Sequence, residues 1–103
     1  MTRAEKIAAT VDKIEAEMKR IRYWELVPLK PEQMDFTQAF AMDTMSFAQW
    51  LQFVFLPRVR EAITANDFPS SSSVGTQAVR EFDGDPNADE LVTLLSEFDT
   101  LFG

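Results

Sequence analysis

Apolar residues recur at Ile7, Val11, Ile14, Met18 and Ile21, in steps of four, three, four and three that place them on one helical face. Lys13, Glu17 and Arg20 fall on the opposite side. Thr2 and Glu5 form a capping-box pair at the start, satisfying N–H groups that have no partner within the helix. Pro28 and Pro31 lack a backbone donor and restrict the residue before them, so the helix is expected to end near Glu25 or Leu26. A second pattern is broader. Phe47, Trp50, Leu51, Val54 and Phe55 share one face while Phe53, Leu56 and Val59 widen it, which predicts a helix over 47–65 buried on most sides. Ser46 and Gln49 give it a capping box, Asp43 places negative charge ahead of it, and Pro57 is expected to bend or break it after Phe55.

Between these helices lie the nineteen residues 27–45, without a glycine. Leu29, Met34, Phe36, Phe40, Met42 and Met45 make this connection too apolar for a tether. It is expected to lie across the helices, with a short turn around 38–42. Pro69 and four consecutive serines mark a loop over 66–73. A short helix is expected over 74–82 with Val79 and Phe82 facing inward. A last one should open at Asn87 and Glu90 and bury Leu91, Leu94, Leu95, Phe98, Leu101 and Phe102. Nothing alternates like a strand. The expected fold is all-α: one domain over 1–103, a four-helix-type bundle with a long apolar connection between its first two long helices and a proline-kinked central helix.

Composition narrows the chemistry. Cysteine and histidine are both absent, which excludes disulfides, thiolate nucleophiles, Cys/His zinc sites and imidazole bases within one chain. No apolar run reaches a membrane-spanning length, and the charged, alanine-rich N-terminus does not resemble a signal peptide, so a cytoplasmic location is expected. Residues 1–60 carry nine basic and eight acidic groups, whereas 61–103 carry only Arg80 against nine acids, for a net charge of −7. That balance disfavours tight binding to a phosphate backbone. Arg3, Lys6, Lys13, Lys19, Arg20 and Arg22 leave a modest basic strip, read chiefly as a solvated face with Glu15–Lys19 and Lys13–Glu17 pairs.

Candidate sites are few. Asp83, Asp85, Asn87 and Asp89 imitate the opening of a calcium loop, but Ala88 and Leu94 stand where Gly and a bidentate Glu belong, so turn formation explains them and no metal is expected. Asp43, Glu61 and Asp99 form no obvious acid–base pair. Trp50 reads as core, and Trp24 equally as core or as a binding platform. Arg58 either pairs with an acid such as Asp43 or meets an anionic partner.

The run 39–58, with Phe40, Met42, Asp43, Thr44, Met45, Trp50, Leu51, Gln52, Pro57 and Arg58 in these relative places, resembles the signature of the YqcC-like family of small helical bacterial proteins. Ala39 stands where that pattern is expected to carry proline. The resemblance implies a helical bundle and a cytoplasmic protein, and transfers no catalytic residue. It also implies an accessory role, because such proteins are often encoded beside a tRNA pseudouridine synthase.

The leading expectation is therefore a non-enzymatic interaction module without a cofactor. Trp24, Phe40, Met42, Met45 and Arg58 would present its surface to a protein partner, either an RNA-modifying enzyme or a second copy, while Asp43, Thr44, Trp50, Leu51, Gln52 and Pro57 serve structure. The alternatives are direct RNA binding through the basic strip of the first helix, and an enzyme working through carboxylates.

Overall fold

In a computed structural model, which describes residues 1–41 and 43–102, helix α1 spans Arg3–Arg20. Its capping box is as expected: Thr2 Oγ accepts from Glu5 N–H at 3.1 Å and Glu5 accepts from Thr2 N–H at 3.3 Å. The helix ends earlier than the sequence suggests. Arg22 adopts φ 65°, and Tyr23 N–H donates to Met18 O while Arg22 N–H donates to Lys19 O. This pair of reversed bonds is a Schellman closure with arginine in the left-handed position usually held by glycine.

A rod over 47–65 follows, made of α2 (Phe47–Trp50), a π-helical turn (Leu51–Phe55) and α3 (Leu56–Ala65). Ser46 and Gln49 cap it reciprocally at 2.9 and 3.1 Å. The proline irregularity takes the form of the π turn, in which Leu56 N–H donates to Leu51 O five residues back. Pro57 cannot donate and its ring would crowd the preceding turn; the wider turn relieves that crowding while Leu51, Phe55 and Leu56 stay right-handed. Asn66 in the left-handed region closes the rod.

Helix α4 (Val74–Glu81) and helix α5 (Asp89–Thr100) complete the bundle. Helix α5 packs between α1 and α4, and α1 also meets α3. The main core joins Ile7, Val11, Ile14 and Met18 to Leu51, Leu56, Leu91 and Leu95, all essentially inaccessible. Two details of the later helices differ from expectation. Val79 is exposed, and α4 instead faces inward through Val74, Gly75 and Ala78, with Phe82 half-buried beyond its end. Asn87 does not cap α5; Asp85 accepts from Asn87 N–H and starts a short 3-10 turn, Pro86–Ala88, that runs into the helix.

Gly75 explains the inward face of α4. A methyl group there would lie 2.6 Å from Ser96 Cα and 2.8 Å from Ser96 N, so only glycine lets the two backbones approach. Asp99 of α5 then caps α4 from outside it, accepting from Val74 N–H at 3.1 Å, Gly75 N–H at 2.8 Å and Ser72 Oγ–H at 2.5 Å. Among the described residues no helix is long and apolar enough to cross a membrane.

Candidate functional site

The connection folds back over the rod, as its composition predicts. Ala41, Met45 and Val54 form a small buried cluster against which Leu29, Phe36 and Trp50 pack. Polar side chains fasten it. Asp43 accepts from Thr37 N–H and Thr37 Oγ–H, each at 3.1 Å, and from Gln38 N–H at 3.5 Å. Those donors, the Thr37 amide first, hold its carboxyl below the usual carboxylate range. Thr44 Oγ–H donates to Gln33 O at 2.6 Å, tying in the short 3-10 turn Pro31–Met34. Asp43 thus stabilises the connection, and its carboxylate bonds to neither Ser46 nor the amides that open α2.

Gln52 is buried and holds the start of the connection like a rung. Its amide oxygen accepts from Glu25 N–H at 2.8 Å, and its amide nitrogen donates to Glu25 O at 2.7 Å. Gln49 meets the Glu25 carboxylate at 3.0 and 3.3 Å. Just beyond this anchor Leu26 and Val27 project into solvent, 95% and 72% exposed.

The residues expected to form a docking surface separate. Met45 is buried, so it cannot be offered to a partner. Phe40 is half-buried, its ring 4.9 Å from Trp50 and 5.9 Å from Phe47. Phe40 and Ala41 both have positive φ, an uncommon conformation for side-chain-bearing residues, held here by the packing around them. Met42 lies outside the described residues. Trp24 is half-buried with Lys19 Nζ 5.1 Å from its ring, and Arg58 is exposed, 6.0 Å above Phe36 and bonded to no acid among the described residues. The Arg58–Asp43 pair raised by the sequence does not form.

A feature that sequence reading missed lies on the other side of Trp50. The π turn brings Trp50 and Phe55, five residues apart, into a stack at 5.5 Å; on a regular α-helix they would be separated by about 140°. From there rings follow in sequence: Phe55 to Phe98 at 5.0 Å, Phe98 to Phe102 at 4.9 Å, Phe102 to Phe68 at 6.2 Å. They wall an open cleft of about 190 Å³ between the rod, the 66–73 loop and the end of α5, and among the described residues Arg58 is its only charged lining residue. Arg3, outside that lining, donates to Leu101 O at 2.8 Å and lies over the Phe102 ring. The spacing of Trp50 and Phe55 just before Pro57 was the available signal, but without the π turn it reads as ordinary core.

Half of the basic strip is engaged, through Arg3, Lys19 and Arg20. Lys19 pairs with Glu15 at 2.8 Å as expected, but Glu17 pairs with Arg20 at 2.5 Å and not with Lys13. Arg60 joins α3 to Glu15 at 2.7 Å, so Glu15 is held below its usual range by Lys19 first and Arg60 second. Tyr23 donates to Asp85, which raises the phenol's pKa and ties the end of α1 to the turn before α5.

Several known proteins are similar to this chain. A 59-residue segment is 36% identical to tRNA pseudouridine synthase C of Pectobacterium carotovorum, covering 57% of this chain but only 16% of that protein. Over 63 residues the chain is 32% identical to the uncharacterised protein YqcC of Escherichia coli, spanning 61% of itself and 58% of YqcC. An uncharacterised Haemophilus influenzae protein is 26% identical over 76 residues, covering 70% of this chain and 72% of its own. The solution NMR structure of Escherichia coli YqcC superposes with a TM-score of 0.87 at 27% identity, over 99% of this chain and 89% of that one. The DUF446 family model, described as tRNA pseudouridine synthase C, matches residues 6–101, and the chain belongs to this family of YqcC-like proteins.

Proposed function

We propose that this chain is a cytoplasmic, non-enzymatic accessory module that docks on a tRNA pseudouridine synthase. The observation that carries the reading is the Pectobacterium relative, in which a segment like this one occupies 16% of a much longer protein bearing the synthase name. Covalent joining holds two modules at millimolar effective concentration. Such a module working without that covalent link needs an interface instead. The disposition of its carboxylates supports a non-catalytic role: Glu15, Glu17, Asp43, Asp85 and Asp99 are all engaged in bonds that hold helices or turns together. Of the side chains expected at the surface, Arg58 is exposed and Trp24 and Phe40 are half-buried.

The test mixes the purified chain with the synthase from the same genome and measures association by light scattering and calorimetry. A stoichiometric complex is expected. No association at the highest attainable concentrations overturns the reading, as would pseudouridine formation by this chain alone.

A further inference from the structure

The aromatic cleft beside the π turn is the wrong size for a cofactor. Small-molecule sites commonly run from about 300 to 1,000 Å³, whereas a dry cavity of about 150 Å³ already accepts a benzene ring. At about 190 Å³ this cleft suits one ring-sized group. Pockets of that size, walled by aromatics, are where single anchor side chains concentrate the energy of protein interfaces. The charge pattern adds a requirement. In a chain of net charge −7, Arg58 is, among the described residues, the one cation lining the cleft, and it is exposed with no acid partner among them.

We propose that this cleft receives one aromatic side chain from a protein partner, with an acidic residue beside that side chain meeting Arg58. The choice of a protein as occupant rests on the accessory reading above. A second copy of the chain is a poorer fit: among the described residues the large apolar ones it exposes are Met1, Leu26, Val27, Met34 and Val79, none of them aromatic, while Trp24 is half-buried with Lys19 over its ring and the neighbouring Glu25 carboxylate is already held by Gln49. Pro57 acquires a role in this arrangement: the π turn it favours sets Trp50 and Phe55 side by side as one wall, and Arg58 follows directly at the rim.

The full-length chain is titrated with N-acetyl-Phe-Asp-amide, N-acetyl-Phe-Lys-amide and N-acetyl-Ala-Asp-amide while NMR follows the Trp50 indole and the ring signals of Phe68, Phe98 and Phe102. The Phe-Asp peptide is expected to shift these signals and to bind roughly fivefold more tightly than Phe-Lys, the scale of an exposed ion pair. Ala-Asp should leave them unmoved. Arg58→Glu, at an exposed position, should reverse the preference, and Ala62→Phe, which fills the cleft, should weaken Phe-Asp binding at least about tenfold. Equal binding of the two phenylalanine peptides, shifts elsewhere on the molecule, or self-association abolished by Ala62→Phe would overturn the proposal. If the synthase binds wild type and Ala62→Phe equally, the anchor pocket is refuted and the accessory role stands. If the peptides discriminate as expected but no synthase complex forms, the pocket stands and the accessory role falls.

Discussion

Gly75 and Asp99 couple the last two helices through contacts that neither residue announces in the sequence. Gly75 lets α4 approach the backbone of Ser96, and Asp99 caps the amides that this approach presents. Gly75→Ala should overpack the contact and destabilise the fold by about 1–3 kcal/mol. Asp99→Ala leaves the Val74 and Gly75 amides without their acceptor and should cost about 1–3 kcal/mol. Urea unfolding of both single variants and the double variant checks this. The double loss should fall short of the sum, since each change opens the same interface. In the sequence Asp99 is one acid among seventeen, and only the meeting of α4 with α5 distinguishes it.

The starts of α1 and of the rod were legible and the end of α1 less so, for a definite reason. Capping at Thr2 and Ser46 is local, involving residues three apart, so the sequence displays it directly. The end of α1 depends on Arg22 entering the left-handed region, where glycine would normally be the signal. The breakers that the sequence does display, Pro28 and Pro31, lie further on, which is why the expected end falls five or six residues beyond Arg20. Arg22 is exposed, so Arg22→Gly tests the strain cleanly. Relief of roughly 1–2 kcal/mol, partly offset by the freer unfolded chain, should leave a net gain of up to about 1 kcal/mol in thermal or urea unfolding. Pro57 poses the reverse problem: an interruption is legible, but not its form as a π turn that aligns two aromatic rings. Pro57→Ala restores a donor and removes the ring crowding, so the turn should revert toward regular helix and separate Trp50 from Phe55. A changed near-ultraviolet circular dichroism band for Trp50, followed in a Trp24→Phe background, is the expected sign; an unchanged band would show that side-chain packing alone holds the turn.

For the whole molecule, charge decides how stability varies with pH. The bundle itself followed from broad apolar stripes, because Ile7 through Met18 and Leu91 through Phe98 have few ways to leave water except by facing one another. The ion pairs between and around those stripes were only partly foreseen. Glu15 is held below the usual carboxylate range first by Lys19, Glu17 first by Arg20, and Asp43 first by the Thr37 amide. A depressed pKa means the unfolded chain takes up protons before the folded one. The stability these groups contribute is therefore present above the ordinary carboxylate range near pH 4 and is lost as pH falls through their lower folded values. Tyr23 behaves oppositely. Its bond to Asp85 raises its pKa, so its contribution is present below about pH 10 and is lost as pH climbs through the raised folded value. Stability should form a plateau between these limits, falling on both sides. Lys19→Gln should lower the plateau and make the acid limb shallower by removing the largest influence on Glu15, and Tyr23→Phe should remove the Tyr23 contribution to the alkaline limb while leaving the acid limb in place. Thermal melts of the three proteins from acid to alkaline pH test both limbs at once. Limbs that stay unchanged in the variants would show that these pairs do not control the pH response.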